Sequence, residues 1–160
     1  MLTIKQTQNI LKDFFNNHMQ VNAMYTLDVK GFIAKREKEY LCANIEYVDS
    51  NINGKVLSYG FQITLSDLLI PTKDNELDIY NDCSLIAEDL FTFLQYHDDF
   101  NYNRSSSIVK FTESDGDRVA GITFKINLAV IRSQNQCSIP LKPNDYFSYK
   151  MPVILNKSIQ

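Results

Sequence analysis

Residues 56–69, Val56-Leu57-Ser58-Tyr59-Gly60-Phe61-Gln62-Ile63-Thr64-Leu65-Ser66-Asp67-Leu68-Leu69, carry the plainest structural signal in the chain. Leu57, Tyr59, Phe61, Ile63 and Leu65 take every second position, with Ser58, Gly60, Gln62 and Thr64 between them. Alternate side chains of a strand point to opposite faces, so this stretch predicts a strand with one face on a core and the other toward water. Upstream, Leu41, Ala43, Ile45 and Tyr47 alternate with Cys42, Asn44 and Glu46, and Asp49-Ser50-Asn51-Ile52-Asn53-Gly54 lies between the two runs. An Asn-Gly pair accepts positive φ at little cost, which suits a hairpin connection. Strands Leu41–Val48 and Val56–Leu69 are therefore expected to pair antiparallel.

Outward from this hairpin, the apolar period changes. Ile4, Leu11, Phe14, Phe15 and His18 recur at helical spacing after Thr3 or Thr7 as cap, predicting an amphipathic N-terminal helix. Tyr25, Leu27, Val29, Gly31 and Ile33 alternate, predicting a further strand over Tyr25–Ile33. Pro71 ends the second hairpin strand, and Thr72-Lys73-Asp74-Asn75-Glu76 offers capping groups. From Leu77 to about His97, the apolar set Leu77, Tyr80, Cys83, Ile86, Ala87, Leu90, Phe91 and Leu94 predicts the longest helix. Residues 98–107 read as a loop, Ile108–Thr112 as a strand, and Ser114-Asp115-Gly116-Asp117 as a hairpin turn. Ala120, Ile122, Phe124, Ile126, Leu128 and Val130 mark the long return strand. The expected fold is α+β: an antiparallel sheet of about five strands packed against an N-terminal helix and a long central helix. Residues 1–132 form one domain with no internal repeat or linker. Residues 133–160, with Pro140, Pro143 and Pro152 and no sustained period, read as an extended C-terminal tail.

The totals fit one domain of ordinary size. A chain of 160 residues removes roughly 70% of its extended surface from water on folding. Its composition, 44% hydrophobic and 22% charged, is that of a globular protein. The formal net charge is -3 and the sequence pI about 5.3, which argues against a free nucleic-acid binder with its basic stripe. The one dense basic run, Lys35-Arg36-Glu37-Lys38, is interrupted by a glutamate and reads as a solvated loop or strand end. Cys42, Cys83 and Cys137 are far apart and odd in number, as reduced thiols rather than a disulfide framework would be. The opening residues lack the apolar stretch of a signal peptide. No run approaches the ~18 apolar residues that span a bilayer. These features predict a protein of the reducing cytoplasm.

Catalytic apparatus is not evident. Only two histidines occur, His18 and His97. His97-Asp98-Asp99 has the look of a fragment of a metal phosphohydrolase site, but such a site needs further histidines, and a helix-end histidine followed by loop acids explains it. Glu113, Asp115 and Asp117 alternate as calcium ligands do, without the downstream glutamate of an EF-hand loop. There is no Gly-x-Ser-x-Gly elbow and no phosphate-cradling glycine loop. Cys83 sits on an apolar helical stripe, where thiols are inert. The expectation is no enzyme, no metal and no cofactor.

What remains is capacity for contact. The outward strand faces are Ser, Gln, Thr, Asn and Lys, and open sheet edges invite pairing. The tail holds Tyr146, Phe147, Tyr149, Met151, Val153, Ile154 and Leu155, apolar anchors that either wrap their own domain or dock on a partner. Lys35, Arg36, Lys38, Asn53, Gly54, Asp115 and Asp117, in loops and turns, are candidate subunit-interface or channel-loop residues.

The order of elements, with Tyr59-Gly60-Phe61-Gln62-Ile63-Thr64-Leu65, Asp74-Asn75-Glu76-Leu77, Asp117-Arg118-Val119-Ala120-Gly121-Ile122 and Cys137-Ser138-Ile139-Pro140, resembles the tail terminator and tail-completion proteins of bacteriophages. This family includes the connector-ring proteins of short-tailed phages, and the likeness covers about residues 1–140. The abundance of Asn, Ile, Lys, Tyr and Phe matches an AT-rich genome, which suits such a source. The resemblance implies a structural virion protein in a homo-oligomeric ring of about six or twelve copies. Such a ring joins portal or neck to the tail tube and lets DNA pass without specific binding; an acidic lining would repel phosphates. The family brings no catalytic residues. The resemblance places the protein in the virion, assembled in the host cytoplasm, with no membrane partner. The tail beyond Pro140 departs from the family pattern and is the candidate docking arm. Size, acidity and the lack of chemistry also suit a different class, a small acidic inhibitor or immunity-type protein that binds a basic enzyme.

Overall fold

A computed structural model describes residues 2–35, 37–102, 106–113 and 118–132. The hairpin that opens the sequence argument is its centre. Strand β2 (Cys42–Asn53) and strand β3 (Val56–Leu68) pair antiparallel through a turn in which Gly54 has φ 56°. Glycine takes that left-handed conformation without the Cβ clash that other residues meet. Strand β6 (Val119–Ile131) pairs antiparallel with β3 along its whole length, from Val56↔Ile131 to Leu68↔Val119. Its other edge is shared by β5 (Ile108–Glu113) and a short β4 (Asn101–Tyr102). Strand β1 (Ala23–Tyr25) lies outside β2 and pairs with it in parallel, completing a mixed six-stranded sheet.

The predicted alternation is the observed core pattern. Tyr59, Phe61, Ile63 and Leu65 of β3 and Ile122, Phe124, Ile126 and Leu128 of β6 are buried. Helices α1 (Ile4–Asn17) and α3 (Glu76–Gln95) cover that face, with Leu11, Phe15, Ile86, Leu90 and Leu94 against it. Each such side chain contributes roughly 1.5–3 kcal/mol by leaving water. Thr3 caps α1 through a reciprocal capping box with Gln6, and Thr7 instead turns inward, its hydroxyl donating to the Thr3 carbonyl.

Four expectations change. The run Tyr25–Ile33 is not a strand: β1 ends at Tyr25, and a short helix α2 (Val29–Ala34) follows, capped by the Asp28 carboxylate, which accepts from the Gly31 amide at 2.9 Å. Val29 and Ile33 fit either period, whereas Phe32 at i+3 fits only the helical one, and the cap supports the helix. Residues Asn101–Tyr102, expected in a loop, form β4. In α3 the buried stripe includes Ile79, while Leu77 faces outward at 77% exposure. Asn75 does not cap α3; its side chain ties the β3–α3 turn, donating to the Leu68 carbonyl and accepting from the Ile70 amide, both at 3.0 Å.

The second sheet face is not wholly open either. Helix α2 lies over its β2 end, where Phe32 is buried together with Cys42, Asn44 and Ser66. A recess of about 170 Å³ opens between them, its walls formed by Phe32, Ile33, Phe111 and Val119 and its floor by Thr64 and Thr123. The tail, residues 133–160, and the turn at 114–117 lie outside the described residues.

Candidate assembly interface

The two cysteines among the described residues are buried and free. The Cys83 thiol is buried on α3, and burial pushes its pKa up to about 12. Cys42 is also buried and free, its pKa raised by the same desolvation and its Sγ 3.3 Å from the Ser66 hydroxyl. Thiols held protonated are poor nucleophiles. Among the described residues no group of three or more His, Cys, Asp or Glu side chains is placed to hold a metal ion.

The two histidines flank the Phe14–Phe93 ring pair at the α1–α3 seam, His18 against Phe14 and His97 against Phe93, with the two phenyl centroids 5.1 Å apart. His18 Nε2 lies 3.2 Å from Asp89 Oδ2, and His97 stacks on Phe100 at 4.5 Å while its Nδ1 accepts from the Asp99 amide. They serve packing and the helix end. Near the other end of α3, Tyr80 and Thr112 both donate to the Glu76 carboxylate, at 2.6 and 2.7 Å. Those bonds hold the Glu76 carboxyl below the ordinary glutamate range, and the contact joins α3 to β5. Among the described residues no helix is long and apolar enough to cross a membrane.

The interface candidates do not form one patch. Lys35 and Lys38 flank the α2–β2 connection, their ammonium groups over the rings of Tyr25 at 5.1 Å and Phe32 at 5.0 Å. Such cation–π contacts fasten the loop to α2 and β1. Asn53 and Gly54 lie at the far end of β2, a distance of roughly 36 Å along a strand of that length. There Arg132 donates from its guanidinium to the Gly54 carbonyl at 3.1 Å and from its amide to the Lys55 carbonyl at 2.8 Å. Arg36, Asp115, Asp117 and the tail anchors Tyr146, Phe147, Tyr149, Met151, Val153, Ile154 and Leu155 lie outside the described residues, and nothing is described of the Glu113 side chain.

The structure brings forward a surface that the sequence reading did not single out. Strand β1 pairs only with Cys42, Ala43 and Asn44. From Ile45 to Asn53, the edge of β2 that faces away from β3 carries no strand among the described residues. Residues 47–53 are all exposed, including Tyr47, Val48 and Ile52 at 38%, 46% and 59%. A register shift between Tyr47 and Asp49 makes Val48 the extra residue of a bulge. Asp49 is returned to the second face, where Lys125 Nζ pairs with it at 2.5 Å. The bulge breaks the alternation after Tyr47, so periodicity gave no sign that β2 runs on to Asn53. The free length of β2 follows from the shortness of β1, which tertiary structure sets.

No protein-family model matches the chain, and no curated protein is significantly similar to it.

Proposed function

We propose that the protein is a structural subunit that works by assembling with copies of itself and with neighbours, as part of a ring in the head–tail connector or tail-completion region of a phage. The observation that carries this reading is the long outer edge of β2, unpaired among the described residues, with its exposed Tyr47, Val48 and Ile52. A bare edge of that length is a template for another chain, and natural monomers blunt such edges. Its neighbours in this reading are portal, neck or tail tube proteins, and its place is the virion. The order of elements supports the phage assignment, and the acidic net charge suits a channel through which DNA slides without being gripped. No catalytic step belongs to it.

Native mass spectrometry and electron microscopy of the full chain, alone and with a portal–tail preparation, test the reading. Closed rings, or subunits added to the portal–tail junction, are expected. A strict monomer at every concentration that ignores that preparation overturns it.

A second reading, an acidic inhibitor of a basic enzyme, is favoured by the outer face of α3. Asp78, Asp82, Glu88 and Asp89 are exposed there around Leu85, which is 52% exposed. Tight, strongly salt-dependent binding to a basic enzyme, with no rings, would select it.

A further inference from the structure

We propose that the edge of β2 left bare among the described residues is completed by residues 147–153 from the tail of a neighbouring copy, added as a further strand. This rests on the assembly reading and names the partner at its interface.

Three observations meet. First, β2 and β6 both run toward the β2–β3 turn, because each is antiparallel to β3. Arg132, the last described residue before the tail, therefore sits at the β2–β3 turn, bonded to the Gly54 and Lys55 carbonyls, at the same end of the sheet where the unpaired length of β2 finishes. Second, although the tail as a whole lacks a period, Phe147, Tyr149, Met151 and Val153 alternate with Ser148, Lys150 and Pro152. One apolar face suits the side of the sheet where Tyr47 and Ile52 stand exposed, since Tyr47 and Ile52 pair with the helix-facing residues Phe61 and Leu57. Pro152 lacks an N–H and is tolerated on an outermost strand, whose far side needs no partner. Third, the length of chain selects a neighbour's edge over the chain's own. Crossing from β6 past β3 and β2 to the next strand position is about 14 Å. The connection from Arg132 to Phe147 reaches roughly 50 Å when extended, and Pro140 and Pro143 within it favour extended conformations. A return to its own edge would leave a connection far longer than the four or so residues needed, against the short links of compact domains. A reach of that size is on the scale of one subunit to the next.

The partner supplies backbone hydrogen bonds for affinity and alternate side chains for specificity, the chemistry of strand addition. If each copy gives its tail to one neighbour and receives a tail from another, the contact is head-to-tail and makes a ring where the rotation between copies closes.

Complementation between two full-length variants tests this without assuming a register. The edge variant carries Val48→Lys and Ile52→Lys, at exposed positions where lysine blunts an edge without burying charge. The tail variant carries Tyr149→Pro and Met151→Pro, outside the described domain. Circular dichroism like that of the native chain establishes that each is folded; should the edge variant unfold, Val48→Lys alone replaces it. Native mass spectrometry is then expected to show rings for the native chain and monomers for each variant alone. The equimolar mixture should give a dimer and nothing larger, since one intact tail meets one intact edge. Two monomers that stay apart when mixed overturn the exchange and leave the chain's own tail as occupant. A tail variant that still forms rings overturns the proposal while the assembly reading stands. A native chain that is monomeric throughout removes both.

Discussion

Asn44 grips the backbone of Leu27 from both sides: its Nδ2 donates to the Leu27 carbonyl and its Oδ1 accepts from the Leu27 amide, each at 3.0 Å. The side chain is 2% exposed. It does what a neighbouring strand residue would do for Leu27, two positions beyond the last pairing of β1 at Tyr25↔Asn44. Strand pairing can therefore stop there while Leu27 keeps its hydrogen bonds, and the chain is free to turn into α2. Asn22 adds a second tie of this kind, donating from its side chain to the Tyr40 carbonyl.

Replacing Asn44 by alanine is expected to leave both Leu27 groups without their partner in a half-buried place. The cost is about 2–3 kcal/mol, a fall in Tm of roughly 5–10 °C for a chain of this size. Thermal unfolding followed by circular dichroism measures it, and Asn44→Asp, which keeps the acceptor and loses the donor, should fall at least as far.

The two central glycines should respond to very different degrees. A Cβ on Gly121 would lie 2.0 Å from the Leu65 carbonyl oxygen and 2.8 Å from Ser66 Cα, both backbone atoms of the paired strand. Gly121→Ala must push β3 and β6 apart, at a cost of about 3 kcal/mol or more. At Gly60 the nearest atoms are Asp49 Oδ1 at 2.2 Å and Lys125 Cε at 2.9 Å, ends of exposed side chains that can swing aside. Gly60→Ala should cost under about 1 kcal/mol, since an exposed ion pair contributes little. Urea unfolding of the two variants separates them.

Acid should loosen the start of α3 first. The folded Glu76 carboxyl titrates below its ordinary value because Tyr80 and Thr112 donate to it. Its contribution is thus present above the unfolded glutamate pKa, about 4.3, and is lost as pH falls through the lower folded value. Hydrogen exchange at pH 3 is expected to speed up in residues 76–80 and 111–113 relative to the β3–β6 ladder. Glu76→Gln should show little of that acid-specific change.

Alkali acts on the thiols with the reverse sign. Cys83 holds its proton in the folded state up to about 12, above the ordinary thiol value near 8.5. The stability this gives is complete below the unfolded value and is lost as pH rises from there toward the folded one. At pH 8, iodoacetamide followed by peptide mass spectrometry should leave Cys42 and Cys83 unmodified in the native chain and label both in denaturant.

Hydrophobic period made the framework legible. Leu57 to Leu65 and Ala120 to Val130 alternate over enough residues to fix their faces, and the stripe through Cys83, Ile86, Leu90 and Leu94 could only be a helix. Burial rewards those patterns locally, so they can be read one segment at a time. Where a run is short the two periods coincide. Val29 and Ile33 satisfy either, and the choice belongs to Asp28 capping α2 and Asn44 holding Leu27, a partner 17 residues away. The parallel pairing of β1, its early end and the bare length of β2 are likewise facts about distant segments meeting. The sequence by itself determined which faces are apolar, because that follows from residue type and spacing. Only the tertiary structure decided which edge is left without a partner among the described residues, because an edge is defined by the strands that fail to reach it.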